Sequence, residues 1–394
     1  MFGCHSAGPD SVGPNVGDQP LEGPSPLGPH MAFGPAERGP PRPSSKIAPL
    51  CAAGYTLVND YNNSMFSFMN LPRSCTALVS ALALGCSGSA PSTEANLGAQ
   101  MDAYLSDLNF IALPRPSGSA HWQKTQDFCV EKLEQLGFAV SRQDYGTGVN
   151  VIALKAGRGN PAEQVLISAH YDSTENCPGA DDNASGTAGV LEIARILAPL
   201  SFERTLVVAL WDEEERDLIG SRAYAEAAKN RGDKIVVSIV LEMIGAKDSA
   251  PNTQKLPAGF GTLFPDVEAE VRAGEFRADF LANVFNSSAK EVGGVIDRHA
   301  ENLGLPVLSV AVPPELQSSP YAADLRRSDH SAFWDAGFPA IMLTDTSEFR
   351  YPFYHCRGGA DAVARLDHSF SLSVIGSVAQ ALTEVLRRVD SAGD

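Results

Sequence analysis

Residues 165–186 read VLISAHYDSTENCPGADDNASG, and this stretch decides the fold. It opens with an apolar run, Val165 to Ala169, of strand type and length. The run delivers His170, Tyr171 and Asp172. After a loop, Asp181 and Asp182 lead into Asn183-Ala184-Ser185-Gly186. A helical pattern follows over 184–198, with Val190, Leu191, Ile193, Ala194 and Leu197 on one face. A histidine therefore stands at a strand end and an acid at the following helix start. In open α/β sheets ligands bind at the carboxyl ends of strands. Imidazole plus carboxylate is a zinc-type donor set. Asp172, two residues after His170, is placed to accept the ring's other N–H and fix its tautomer. A satisfied strand-end histidine beside helix-capping acids would read the same way, so further donors downstream must decide.

Outward from this stretch, strand and helix patterns alternate. Helix, break and helix fill 100–137, the break at Leu113–Gly118 and the second helix running from about His121 to Leu136. Strand runs lie near 138–142 and 149–154. Strand 205–211 precedes helix 220–229, and strand 235–241 follows. Later come strand 306–312, helix 328–336, strand 339–343 and a final helix over about 371–388. Such alternation predicts an α/β fold, a mostly parallel central sheet with helices on both faces. It has no internal repeat and no second core, so residues 98–394 read as one domain of roughly 300 residues.

Two further strands end in acids. Thr205–Trp211 runs into Asp212-Glu213-Glu214-Glu215, and Ile235–Leu241 into Glu242-Met243-Ile244-Gly245. Four acids in a row commonly mark a solvated surface, but these follow a very apolar, hence central, strand. Strand 339–343 leads through a loop to Phe349-Arg350-Tyr351-Pro352-Phe353-Tyr354-His355. An aromatic loop often holds a structural histidine, but this one can reach the same sheet edge.

The chain has 394 residues and a formal net charge of −17. That balance disfavours nucleic acid, whose phosphates repel it. No apolar run approaches the ~20 residues of a membrane span. The seven cysteines contain no CxxC pair, which argues against a cysteine-bound structural zinc. Residues 1–68 begin with a Pro/Gly-rich extension too poor in apolar residues to fold. Residues 69–85 change character: a short basic start is followed by an apolar region, Thr76–Leu84. This resembles a bacterial lipoprotein signal peptide, with Ala83-Leu84-Gly85-Cys86 as the lipobox and Cys86 as the lipidated residue; the alternative is a buried helix with an incidental cysteine. On the first reading translation starts at Met69 or Met65, residues 86–97 form a linker, and the protein is exported and meets the membrane only through its lipid.

Taken in order, AHYDS, PGADDNASG, WDEEERDLIGS, LEMIG, SDHSAF and FRYPFYH resemble the co-catalytic di-zinc aminopeptidases of metallopeptidase family twenty-eight, and the likeness runs from about residue 100 to 385. Arg115-Pro116-Ser117-Gly118-Ser119 and Gly148-Val149-Asn150-Val151 match as well. The resemblance implies the zinc exopeptidase fold and two zinc ions. His170 and Glu242 would hold one, Glu215 and His355 the other, and Asp182 would bridge them. Glu214 would be the general base and Tyr354 would hydrogen-bond the tetrahedral intermediate. The implied substrate is a peptide or small aminoacyl compound, its free amine met by Glu214 and Glu242.

Two departures stand out. Glu242 occupies the place of an aspartate, one methylene longer, which bears on the second metal. The turn after His355 is lengthened to Cys356–Asp361, which leaves the part played by Asp361 open. Asp329 and His330 read as pocket residues rather than ligands. Because Cys177 and Cys356 flank the implied metal site, a Cys177–Cys356 disulfide is expected in an exported protein. Cys129 reads as a buried free thiol. Pocket walls are expected from Lys247–Phe264 and Pro313–Arg327. A single-zinc glutaminyl cyclase-like transferase and a non-catalytic binding lipoprotein are the rival readings.

Overall fold

The computed structural model describes residues 98–387; the signal-peptide segment and Cys86 lie outside them. All belong to one compact unit, Ser87–Asp394. The chain runs α1 (Met101–Ile111), α2 (Ala120–Gln135), β1 (Ala139–Asp144), β2 (Val149–Lys155), β3 (Asn160–His170), α3 (Gly186–Leu197), β4 (Arg204–Trp211), α4 (Ile219–Arg231), β5 (Lys234–Glu242), α5 (Phe260–Leu263), α6 (Pro265–Ala273), β6 (Leu281–Asn286), α7 (Lys290–Asn302), β7 (Val307–Val312), α8 (His330–Ala336), β8 (Ala340–Thr344) and α9 (His368–Val385).

The strands form one sheet in the order β1-β2-β4-β3-β5-β8-β6-β7. Strands β4, β3, β5 and β8 are mutually parallel, and β6 runs antiparallel to β8. The four parallel strands are central because they are near-continuous Val, Ile and Leu, which only a sheet covered on both faces can bury. Alternation sorts the side chains. Val165, Ile167 and Ala169 join the core beneath α1, α2, α3 and α9. Leu166, Val207 and Trp211 join the opposite core, with Tyr224 of α4 and Phe333 of α8. Because the four strands point the same way, His170, Asp212, Glu242 and Thr344 all fall at one edge. Among the described residues no helix is long and apolar enough to cross a membrane.

The sequence reading needs corrections, beginning with the strand read from Val165, which starts at Asn160. Helix α3 starts at Gly186, because Ala180–Ser185 form a separate wide turn in which Asp182 and Asn183 leave helical geometry. Helix α9 starts at His368, where the Asp367 side chain accepts the N–H of Phe370 at 2.9 Å and so caps it earlier than periodicity indicated. Helix α8 starts at His330. Strand β6 and helices α5, α6 and α7 were not anticipated at all. In β6, Asn283 interrupts the apolar run; it is buried and donates to Gly293 O and to Asp297.

Candidate active site

Each strand end places one polar group at the carboxyl edge. His170 is the last residue of β3, paired in register with Trp211 of β4. Glu242 is the last of β5, opposite Thr344 of β8. Glu214 and Glu215 lie in a turn after β4, entered through Glu213 at φ 54°. His355 sits in the loop after β8 at φ 52°. Positive φ in a non-glycine residue marks a loop held by its surroundings.

The expected donors converge. Asp182 faces two histidines: its Oδ1 lies 3.3 Å from His170 Nε2, and its Oδ2 lies 3.1 Å from His355 Nε2. Glu242 Oε2 is 3.5 Å from His170 Nε2, and Glu215 Oε2 is 3.3 Å from His355 Nε2. Two donor groups result, His170–Asp182–Glu242 and Asp182–Glu215–His355, and they share Asp182. Ligand atoms about 2.1 Å from a zinc ion stand about 3.3–3.4 Å apart around a tetrahedral centre. The observed spacings fit that figure, and both ring nitrogens of buried His170 lack an ordinary hydrogen bond.

Charge gives the same answer. Burial works to lower the pKa of His170, but Glu214, Glu242, Asp172 and Asp182 carry it well above its usual value. His355 is likewise raised to about 9, burial being outweighed by Asp182 and Glu215. Burial raises Glu215 to about 7, and the neighbouring charge of Asp182 adds to it. Burial also raises Glu214 well above the carboxylate range, and Glu242 and Asp329 add to it. A cluster that holds on to protons at both its imidazoles and its carboxylates is short of positive charge, the deficit a divalent cation supplies.

Supporting contacts fix these groups. Asp172 Oδ1 lies 3.3 Å from His170 Nδ1, close to the expected partner but short of a formed hydrogen bond. Its carboxylate also accepts the N–H groups of Glu214 at 3.2 Å and Glu215 at 3.3 Å. Asp361, left open by the sequence, accepts the N–H groups of both Asp181 and Asp182 and the Tyr351 hydroxyl. Ser328 donates to Glu242 Oε2 at 2.7 Å. Cys177 and Cys356 are joined by a disulfide that ties the Asp182 loop to the His355 loop, and Cys129 is a buried free thiol. Glu214 Oε2 lies 3.8 Å from His170 Nε2. The Tyr354 ring stacks on that of His355 with centroids 3.8 Å apart, and its hydroxyl accepts from Arg327 at 3.0 Å. Asp329 and His330 are buried and belong to neither donor group.

Sequence reasoning gave no role to Arg115, Asn183, Ser328 or Arg327. Arg115 is fully buried and donates to the carbonyls of Tyr171, Pro178 and Gly179, which pins both ends of the loop before Asp182. Asn183 bridges to β5, donating to Leu241 O and accepting from Met243 N. Only its place beside Asp182 in the motif could have signalled it.

An α/β sheet with an imidazole–carboxylate cluster at the carboxyl edge of its parallel strands is a metal-binding enzyme scaffold. The peptidase family M28 model matches residues 150–379, and the chain belongs to that family. It is 31% identical over 273 residues to the uncharacterized protein YfbL of Escherichia coli, covering 65% of this chain and 78% of YfbL. It spans less than half the length of the probable fungal zinc metalloproteases it matches. The fold is that of BSAP, a zinc aminopeptidase from Bacillus subtilis: TM-score 0.56 at 15% identity, over 75% of this chain and 97% of that one. Porphyromonas gingivalis glutaminyl cyclase shares it too, with TM-score 0.52 at 19% identity, over 74% of this chain and all of the cyclase.

Proposed function

We propose that this M28 hydrolase is a zinc aminopeptidase with two metal positions. The observation that carries the reading is the split of Asp182 between His170 and His355. His170 and Glu242 would hold one ion, Glu215 and His355 the other, and Asp182 both. When bound, the zinc ions supply Lewis acidity and a water that ionises near neutral pH. Glu214 takes the proton from the attacking water and delivers it to the leaving nitrogen. The Tyr354 hydroxyl can accept but never donate toward Arg327, whose guanidinium only donates. Its single proton therefore stays free for the developing oxyanion of the substrate. Glu214 and Glu242 face the substrate's free amine. Export with a lipid on Cys86 completes the reading; a disulfide beside the site supports an oxidising compartment.

The test is zinc content together with hydrolysis of aminoacyl amides and N-terminal Gln peptides. Near two zincs per chain with amide hydrolysis supports the proposal. One zinc with cyclisation of Gln peptides assigns the chain to glutaminyl cyclase chemistry. Neither zinc nor turnover leaves a binding scaffold.

A further inference from the structure

Beside Glu242 opens a cleft lined largely by apolar side chains. Its floor is a row of directly paired residues crossing four strands. Glu242 of β5 pairs with Thr344 of β8, Thr344 with Ala282 of β6, and Ala282 with Leu308 of β7. A second row, Met342, Val284 and Val310, lies two residues further along on the same face. All seven line the cleft, and Leu256, Pro257 and Phe260 wall it. The loops expected as walls do contribute, but the floor comes from β6, which the sequence hid.

The length of this row is informative. Four neighbouring strands span three spacings of ~4.8 Å, about 14 Å from Glu242 to Leu308. A four-carbon side chain advances only about 5 Å, at ~1.3 Å for each bond of about 1.5 Å. The row is thus longer than leucine or methionine needs. Along the row Glu242 and Thr344 stand at one end and Ala282 and Leu308 at the other; Lys255, Asp324, Arg327 and Glu348 also line the cleft. A substrate amine held at Glu242 would start its side chain down this row.

We propose that the substrate's N-terminal residue carries a linear or extended apolar side chain longer than that of leucine, lying along the Glu242–Thr344–Ala282–Leu308 row. This rests on the aminopeptidase reading above. Ala282 and Leu308, at the far end, set the length accepted. Each methylene buried there raises affinity roughly fourfold.

The experiment uses the zinc-loaded full chain and L-2-aminoalkanoyl anilides with side chains of one to ten carbons. Thermal-shift titration of the free 2-aminoalkanoic acids gives a second readout that needs no turnover. The expected result is a kcat/KM that keeps climbing past four carbons to about eight, with binding tightening in parallel. Ala282→Phe, and Leu308→Trp as a second variant, should lower the eight-carbon compound at least 50-fold relative to the two-carbon one. Hydrolysis that peaks at four carbons or fewer overturns the inference and keeps the aminopeptidase. Binding that tightens to eight carbons without hydrolysis of any anilide keeps the cleft assignment and overturns the aminopeptidase.

Discussion

Asp361 holds the backbone of Asp182: its Oδ2 accepts the Asp182 N–H at 3.1 Å and the Asp181 N–H at 3.0 Å. The lengthened turn after His355 thus returns an acid to the loop that carries the shared carboxylate. Asp361→Ala removes both acceptor oxygens and should misplace Asp182. Groups that orient metal ligands are worth roughly 10- to 100-fold in metal affinity. Competition with a zinc chelator should show a loss in that range; unchanged affinity would mean the loop holds its shape without Asp361.

Glu214 and Glu215 are neighbours with different surroundings. Glu215 Oε2 faces His355 at 3.3 Å, whereas Glu214 lies 3.8 Å from His170 and belongs to neither donor group. Glu214→Gln should therefore keep zinc and KM while kcat falls by roughly 10²–10⁴, the size of a general-base contribution. Glu215→Gln should lose metal as well as rate. Parallel metal analysis of the two variants separates them, and equal zinc loss in both would contradict the assignment.

The disulfide closes a loop across a sequence separation of 179. In the chain-entropy model such a closure stabilises by up to about 5 kcal/mol, and measured values fall more often between about 2 and 4. Cys177→Ser combined with Cys356→Ser should lower Tm by several degrees and weaken zinc binding, because each loop carries a donor. Calorimetry with and without excess zinc tests both: a shift in Tm alone would confine the bond to stability.

His170 and Glu242 were legible at the ends of apolar strands, whereas Asp182, Glu215 and His355 lie in turns and loops and were joined to them as donors only by the family resemblance. Asp172 was legible by its spacing from His170. Arg115 was not, since its partners are main-chain carbonyls, which leave no mark in sequence. Strand β6 was missed because buried Asn283 breaks its apolar pattern, and its amide finds its acceptors on α7, a packing contact the sequence does not display. The cleft was invisible for a related reason: its floor is a cross-strand row, and register between distant strands is a tertiary fact.

His330 provides a pH-dependent test away from the donor cluster. It is fully buried, its ring meets Trp334 edge-on with centroids 4.6 Å apart, and its Nε2 is 2.9 Å from the Leu325 carbonyl, so Nε2 carries the proton and donates. Burial lowers its pKa to about 4. The unfolded chain takes up this proton near pH 6.5 and the folded one only near pH 4, so the unfolded state binds more protons between those values. Stability from His330 is therefore complete above pH 6.5 and is lost as pH falls toward 4, by about 3 kcal/mol in all. His330→Gln keeps a donor for Leu325 but cannot titrate. Urea unfolding of both proteins at pH 7.5 and at pH 4.5 should show the wild type losing more stability than the variant. Equal losses would mean that His330 is protonated in the folded protein without penalty.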